Sequence, residues 1–272
     1  MNISADNIPM VCISLDRRPD RWTKFKEGAE AADVNVLRLP AVDAKEFDAV
    51  NHSAISLLTA HNIKFKVRRA HYEIDTGGAV GASLSHIKAW NYLMNGTAPA
   101  LIVFEDDALI PTDFRERLAQ VVDELPASWD VITFYNTEYL ASRGCKPDSA
   151  VAPLESCTGL MGAHAYMVSR RGAQRLLARA YPIELHVDAY LAFMARLGYI
   201  QMLWNPAMQV HQPFNDSDIA HGNTQILSVP TDMDKSWVSA LDAQSAMSLI
   251  VMAAVAGGII SLAMSGYVNV KK

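Results

Sequence analysis

Cysteine is scarce in this chain, and its spacing excludes two kinds of architecture. The three cysteines, Cys12, Cys145 and Cys157, are far apart and odd in number. They form neither the paired spacing of a structural zinc site nor an even set for a disulfide framework, and a reducing compartment is the simpler setting. The fold must therefore depend on a hydrophobic core, which 272 residues with 50% hydrophobic content can supply.

The chain also lacks an excess of positive charge. Its formal net charge is -5, from 24 Lys and Arg residues against 29 Asp and Glu residues. Proteins that bind nucleic acid present strongly basic faces to the phosphate backbone, so this balance argues against nucleic acid as the main partner. No internal repeat is present, and the length suits one large domain or two small ones.

The amino terminus lacks the features of a secretory signal peptide, whereas the far end is strongly apolar. MNISADNIPM has no basic region, and the short apolar stretch after it runs into DRRPDR. Residues 243–270 carry no charge and, at about 1.5 Å per residue, are long enough to cross a hydrocarbon core of about 30 Å. They predict a hydrophobic helix that either anchors the protein in a membrane or packs as a buried helix. With an anchor, we expect a membrane-associated protein whose folded domain is cytoplasmic.

Strand patterns alternate with helix patterns along residues 8–214. Buried-strand runs such as PMVCISL, ALIVF and HAYMVS are separated by amphipathic stretches such as FRERLAQVVDEL. This alternation predicts an α/β layered domain with a largely parallel sheet. Residues 44–77 are polar and poorly periodic, and we expect a long excursion over the surface there. Residues 215–242 have the composition of a polar linker.

Three adjacent acids, Glu105, Asp106 and Asp107, follow the strand ALIVF. Ligands of open α/β sheets bind beyond the carboxyl ends of the strands. Alternation along an extended chain places Glu105 and Asp107 on one side, where two carboxylates are costly together unless a cation compensates them. Mg²⁺ and Mn²⁺ take oxygen ligands and also bind diphosphates. The triplet alone leaves two alternatives open: a metal–diphosphate site, or a solvated turn in which one Asp caps the next helix.

Six segments in register give the chain its resemblance to a known family. They are CISLDRRPDRW, AVDA, GASLSHIKAW, ALIVFEDDA, GAHAYMVSRRGAQRLL and PIELHVDAYL. From about Val11 to Gln212, the chain resembles glycosyltransferase family 25, which includes bacterial lipopolysaccharide galactosyltransferases and collagen galactosyltransferase domains. The resemblance implies a GT-A-type fold, with a Rossmann-like nucleotide-binding half at about residues 8–110 and an acceptor half at about 111–214. It also implies metal-dependent, inverting transfer of a hexose, galactose in particular, from a UDP-sugar to a glycan or hydroxylated acceptor.

Two positions depart from the family pattern. Ala82 stands where the family often has Cys, and Ala44 stands where it often has Gly after the Asp of AVD. Neither change removes a charged or metal-binding group. The departures therefore affect the identity of the donor sugar more than the chemistry.

The resemblance implies a set of metal ligands. The EDD segment corresponds to the DxD element of related folds, so Asp107 is the predicted direct ligand of Mn²⁺ or Mg²⁺. Glu105 is a further predicted ligand, and Glu105 or Asp106 is expected to contribute through the ribose or a metal-bound water. His211, near the end of the last strand, is predicted as an additional ligand because imidazole is the better metal ligand, although the family pattern aligns Gln212 there.

Other residues are candidates for holding the nucleotide. Arg17, Arg18 and Arg21 follow the first strand, and their planar guanidinium groups suit phosphate, with Arg17 or Arg18 the preferred candidate. A solvated turn in which they pair with Asp16 or Asp20 is the alternative. Asp43 is placed to accept from ribose or uracil, or to cap a turn. Ser85 and His86 lie early in a predicted helix after a glycine-rich entry, where anionic groups bind. A histidine satisfied inside the fold is the alternative for His86.

Asp188, in HVDAYL, is the predicted general base, since inversion by single displacement needs a carboxylate near the acceptor hydroxyl. Its alternative is a helix N-cap. Two other classes of function compete with the transferase. One is a catalytically silent, glycosyltransferase-like binding protein held at a membrane, against which the intact EDD and VDAYL segments argue. The other is a metal-dependent phosphatase with an aspartyl nucleophile, which needs a DxDxT pattern that FEDDALIP does not supply.

Overall fold

The computed structural model of the protein describes residues 3–134, 152–153, 162–205, 208–213 and 225–226. The chain divides into two compact units, Met1–Gln225 and Ile226–Lys272. Among the helices of the described residues, none combines the length and apolar character that a membrane span requires. The predicted hydrophobic helix at 243–270 lies outside the described residues, as does all of the predicted linker except 225–226, so the membrane anchor stays a prediction.

Helices and strands alternate along the residues that the structure describes. The helices are α1 Pro19–Ala31, α2 Leu57–Phe65, α3 Gly77–Asn95, α4 Phe114–Asp123, α5 Arg170–Leu177 and α6 Val187–Arg196, with short 3-10 turns at Ala5–Asn7 and Ala44–Glu46. The strands are β1 Met10–Ser14, β2 Leu37–Pro40, β3 Val67–Arg68, β4 Ala100–Glu105, β5 Val131–Thr133, β6 Ala152–Pro153, β7 Ala165–Ser169, β8 Met202–Trp204 and β9 Gln225–Ile226.

Seven of these strands form one mixed sheet in the order β2-β1-β4-β7-β5-β8-β6. Strands β2, β1 and β4 are parallel neighbours, β5 and β8 are parallel to each other, and β7 and β6 run antiparallel to the strands beside them. The prediction of a largely parallel sheet missed the reversal of β7, because a short apolar run reads the same in either direction when it is buried on both faces. The parallel group β2-β1-β4 brings three carboxyl ends to one edge.

Strand β4 lies in the core because both faces of the sheet are covered there. Leu101 and Val103 pack in the hydrophobic cluster that contains the inner face of α3, and Ile102 and Phe104 pack in the cluster that contains α1 and α4. This explains why ALIVF is apolar at every position instead of alternating with polar residues. The run therefore holds the acids that follow it in a fixed position.

The segment between β2 and α3 is more ordered than the sequence predicted. The expected surface excursion over residues 44–77 contains α2 and β3. Helix α3 begins at Gly77, earlier than expected, because the Thr76 hydroxyl caps it by accepting from the backbone N–H of Ala79 at 3.3 Å. The GGAVGAS stretch is thus helix, although glycine disfavours helix interiors.

Candidate active site

A cavity of about 390 Å³ opens at the carboxyl ends of β1, β2 and β4. Its position agrees with the rule that ligands of α/β sheets bind at this edge. The predicted site residues that line it are Arg17, Asp43, Ser85, His86, Glu105, Asp106 and Asp107. Arg18, Asp188 and His211 are outside this lining. A smaller cavity of about 160 Å³ lies on a different face of α3 and holds none of the three acids.

Arg21 compensates two of the three acids. Its Nη2 lies 2.8 Å from Asp106 Oδ1 and 2.7 Å from Asp107 Oδ2, and the three side chains are only 11%, 8% and 16% exposed. Gln212 Nε2 donates to Asp107 Oδ2 at 3.1 Å and lies 3.5 Å from Glu105 Oε2. The strand ends at Glu105, so strict alternation stops there, and the turn that follows brings Asp106 to the cavity together with the other two acids.

Asp107 occupies an environment that disfavours its charge. Burial and the neighbouring Glu105 carboxylate raise the pKa of Asp107 from 3.8 to about 6, despite the opposing effects of Arg21 and Gln212. Its Oδ1 atom is buried and has no hydrogen-bond partner in the part of the chain that the structure describes. A carboxylate oxygen in this setting would be stabilised by a bound cation.

The donor set fits a divalent ion that is shared with a diphosphate. Within the described residues, no group of three or more His, Cys, Asp or Glu side chains is arranged to hold a metal by itself. Mg²⁺ sites, however, are commonly built from one or two carboxylates together with substrate phosphates and waters. The Asp107 oxygen, bordering a cavity with room for phosphates, fits that arrangement.

Asp107→Asn is expected to stabilise the metal-free protein at neutral pH. The folded pKa of Asp107 lies above its ordinary value of 3.8. The folded state therefore binds the proton more tightly, and wild-type stability falls as the pH rises from about 4 to about 6. At about pH 7 the ionised form costs at most about 3 kcal/mol, and the neutral amide avoids this cost.

Urea unfolding in EDTA at several pH values tests this expectation. The stability difference between variant and wild type should be largest near neutral pH and should shrink toward zero as the pH approaches about 4. A variant that is less stable than wild type at neutral pH would show instead that Asp107 serves mainly as a structural partner of Arg21.

His86 is buried and fully engaged. Its Nδ1 lies 2.9 Å from the Tyr166 hydroxyl and its Nε2 lies 2.9 Å from Glu105 Oε1. Burial opposes ionisation of Glu105, but the hydrogen bond from His86 and the nearby Arg21 guanidinium outweigh it and lower the pKa of Glu105. His86 thus lines the cavity while both of its nitrogens contact protein groups.

The expectation that Ser85 and His86 lie at a helix N-terminus is wrong, because α3 begins at Gly77 and places both residues in its third turn. The Ser85 hydroxyl accepts from Val42 N at 2.8 Å and donates to Gly81 O at 2.7 Å, so it fastens α3 to the loop after β2. The first turn of α3 itself, at Gly77–Gly78, lines the cavity. A helix start of this kind favours anionic groups.

The arginines after β1 divide between the cavity and the surface. Arg17 Nε donates to Asp43 Oδ2 at 2.8 Å, and both side chains line the cavity. Asp43 Oδ1 also accepts from Lys45 N at 3.0 Å, so Asp43 caps the following turn as well. Arg18 pairs instead with Asp20 at 3.0 Å, the surface pairing that the sequence left as an alternative.

Asp188 lies beyond the cavity, on α6. Its Oδ2 accepts from Gly162 N at 2.8 Å and its Oδ1 accepts from Ala189 N at 2.7 Å. His186 is the N-cap of α6, so the capping alternative does not apply to Asp188. Gly162 is also close to Gln212, since a Cβ atom added at Gly162 would lie 3.5 Å from Gln212 Oε1. Gly162 therefore contacts Asp188 and lies beside Gln212, the residue that donates to Asp107.

His211 and Gln212 differ in where their side chains lie. His211 is exposed and pairs through its backbone with Leu109, with N–O distances of 2.8 and 3.3 Å. Gln212 lines the cavity and contacts the acids. The structure therefore brings Gln212, and not His211, to Asp107.

Sequence reasoning did not select three features of the site: the Arg21 bridge, the Gly77–Gly78 helix start and the Gln212 contact. One signal was present in the sequence. Pro19 at the first position of α1 favours a helix start there and places Arg21 in the first turn, next to the sheet edge. The family pattern also pointed to Gln212, although His211 was chosen on its chemistry, and the glycine-rich entry was noted without placing the helix start at Gly77–Gly78.

An α/β domain with acids, arginines and a helix start at the carboxyl edge of its sheet is typical of proteins that bind nucleotides. Residues 7–191 match the sequence model of glycosyltransferase family 25 (LPS biosynthesis protein). The chain belongs to this family.

Two curated relatives illustrate the range of the family. The rat (Rattus norvegicus) protein named probable inactive glycosyltransferase 25 family member 3 is 30% identical over 195 residues, covering 67% of this chain and 32% of that protein. Procollagen galactosyltransferase 1 of Danio rerio is 28% identical over 189 residues, covering 67% of this chain and 30% of that protein. The chain therefore spans about a third of the length of these relatives.

A solved structure gives a much weaker likeness. The glycosyltransferase involved in the glycosylation of the major capsid of PBCV-1 is 8% identical, with a TM-score of 0.29, and the match covers 69% of this chain and 66% of that chain. At that level of similarity it carries no structural argument.

Proposed function

We propose that the protein is a metal-dependent inverting hexosyltransferase of the GT-A type that moves galactose from a UDP-sugar to a glycan or hydroxylated acceptor. The observation that carries this proposal is the buried Asp107 Oδ1, which has no donor among the described residues at the edge of the cavity. Family membership supports the transferase class. The name of the Danio rerio relative supports galactose as the sugar.

The cavity offers separate groups for each part of a UDP-sugar. Arg17 and Asp43, at the end formed by the loops after β1 and β2, would hold the nucleotide. The start of α3 at Gly77–Gly78 would face the diphosphate, whose negative charge suits a helix N-terminus. Asp107 would hold Mn²⁺ or Mg²⁺, with Glu105 beside it, and such an ion neutralises charge on the leaving diphosphate. This arrangement accounts for the acids and the arginines at one edge.

Asp188 would act as the general base toward the acceptor hydroxyl. Backbone N–H groups from Gly162 and Ala189 hold its carboxylate in one orientation. A carboxylate held in this way would be available to take a proton from the acceptor hydroxyl. In this proposal the transferred sugar would lie between Asp188 and the diphosphate.

A catalytically silent binding protein is the second candidate. The observation that favours it is the Arg21 bridge, which already compensates Asp106 and Asp107 without a metal ion. The name of the rat relative shows that this family is thought to contain an inactive member. Such a protein would bind UDP-sugars without turning them over.

A panel of UDP-sugars assayed for UDP release separates the two candidates. We expect release from UDP-galactose in Mn²⁺ and none in EDTA, because the diphosphate leaving group needs a cation. Metal-independent release would refute the metal assignment. Failure to release UDP from any donor, together with UDP binding measured by calorimetry, would favour the binding protein.

A further inference from the structure

A buried network of hydrogen bonds links the core to the acids. Trp90 Nε1 donates to the Tyr166 hydroxyl at 2.9 Å, and that hydroxyl lies 2.9 Å from His86 Nδ1. His86 Nε2 lies 2.9 Å from Glu105 Oε1. Trp90, Tyr166 and His86 are each only 1% exposed. The network therefore joins α3, β7 and the end of β4 where solvent hardly reaches.

Only one direction of donation satisfies every member of this network. An indole N–H can only donate, so the Tyr166 oxygen accepts from Trp90. The single hydroxyl proton of Tyr166 then goes to His86 Nδ1, which must be an acceptor. In a neutral imidazole with Nδ1 accepting, Nε2 carries the proton and donates to Glu105.

The opposite tautomer would leave a buried group unsatisfied. With a proton on Nδ1, the Tyr166 hydroxyl would need another acceptor, and the described residues provide none. An unsatisfied buried hydroxyl is costly. Burial also raises the pKa of Tyr166 far above its usual range, so the hydroxyl keeps the proton that it donates.

We propose that Trp90 and Tyr166 are positioning residues that hold His86 in its Nε2-protonated form, and that His86 thereby fixes the carboxylate of Glu105 beside Asp107. The inference rests on the proposed function, because Glu105 matters to the reaction only if the cavity holds a metal-bound diphosphate. With Oε1 held by His86, the other oxygen faces Gln212 Nε2 at 3.5 Å, and the same amide donates to Asp107. Partners of this kind orient metal-binding carboxylates.

The tautomer of His86 is the most direct readout of this proposal. Multiple-bond ¹H–¹⁵N correlation spectra distinguish the two neutral tautomers, and the His86 signals can be assigned by their loss in His86→Gln. We expect the Nε2-protonated form in the wild type and a changed Nδ1 signal in Tyr166→Phe, because Nδ1 loses its hydrogen-bond donor while Glu105 still accepts from Nε2. An Nδ1-protonated wild type, or an unchanged His86 signal in Tyr166→Phe, would overturn the proposal.

Tyr190→Phe is the matched control for these spectra. The Tyr190 hydroxyl donates to Leu176 O at 2.6 Å, and its ring lies 6.1 Å from the Trp90 ring, so the variant also loses a tyrosine hydrogen bond, here a partly buried one. It leaves every bond of the network in place. We therefore expect the His86 signals of Tyr190→Phe to match those of the wild type.

Mn²⁺-dependent UDP affinity, measured by calorimetry, tests the link to the site. We expect Tyr166→Phe and His86→Phe to weaken the UDP affinity in Mn²⁺ by roughly 10-fold or more, as is typical when a partner of a metal-binding group is lost. His86→Gln keeps an amide donor for Glu105 and should recover part of the loss. Equal affinity in Tyr166→Phe and Tyr190→Phe would overturn the proposed role. If the wild type binds no UDP in Mn²⁺, the proposed function fails, and the tautomer spectrum alone decides the hydrogen-bond assignment.

Discussion

Asp107→Asn is expected to lower the rate of Mn²⁺-dependent UDP release from UDP-galactose by roughly 10²–10³-fold. The amide keeps the shape of the side chain but supplies no negative charge to a cation at the buried Oδ1 position. The same change is expected to stabilise the metal-free fold, so unfolding measurements on the variant separate a loss of rate from a loss of structure. The amount of UDP released after fixed reaction times at saturating Mn²⁺, measured for wild type and Asp107→Asn, gives this comparison.

The control for this measurement is Asp113→Asn. Asp113 is a partly exposed acid at the N-cap of α4 that pairs with Arg117 at 2.6 Å. The substitution removes one carboxylate from the protein without changing the cavity, and we expect a rate of UDP release close to that of the wild type. An Asp107→Asn enzyme as fast as this control would contradict the assignment of Asp107 as the metal ligand.

Arg21→Ala is expected to lower the free energy of unfolding of the metal-free protein by about 3–5 kcal/mol, the usual result of removing one partner from a buried ion pair. The change leaves Asp106 and Asp107 side by side without the guanidinium that bridges them. Mn²⁺ should then raise the stability of the variant more than that of the wild type, because Asp107 no longer has a competing cation. Thermal and urea unfolding, each with EDTA and with Mn²⁺, measure both effects.

Arg115→Ala is the matched control for Arg21→Ala. Arg115 also bridges two carboxylates, Asp6 at 2.8 Å and Asp33 at 2.6 Å, but its side chain is 53% exposed. Exposed pairs contribute little, so we expect only a small change in stability and no dependence on Mn²⁺. If the two arginine variants lose the same stability, the burial of the Arg21 bridge has no energetic consequence and the argument for a charge-disfavouring site fails.

The central strand and its acids were predictable because their signal is local. An apolar run with no alternation identifies a strand that is covered on both faces, and Glu105–Asp107 follow it directly. The position of the site at the carboxyl edge follows from a general property of α/β sheets. The reversed direction of β7 could not be predicted, because burial alone does not encode strand direction.

The composition of the site was only partly predictable. Arg17, Asp43 and the three acids lie around one cavity, as the sequence led us to expect. Arg18 does not, because it pairs with Asp20 on the surface. Gln212 contacts Asp107 in place of the predicted His211. His211 pairs through its backbone with Leu109, and neighbouring residues of an extended chain point to opposite faces, so a prediction that is wrong by one residue selects the wrong side chain.

The remaining differences between the prediction and the structure come from the residue at which α3 begins. The Thr76 cap starts α3 early and moves His86 from the expected helix N-terminus into the core. There it contacts Tyr166, which is 80 positions away in sequence. Contacts of that kind arise from tertiary packing and leave no trace in local pattern.

Calorimetric titration of UDP into the wild type and Asp107→Asn, each in Mn²⁺ and in EDTA, tests most directly whether these acids hold a metal-bound nucleotide diphosphate. The account predicts that the wild type binds UDP in Mn²⁺, that EDTA weakens binding by roughly 10–100-fold, and that Asp107→Asn binds UDP weakly in both conditions. Equal UDP affinity in Mn²⁺ and EDTA, or in wild type and variant, would contradict it.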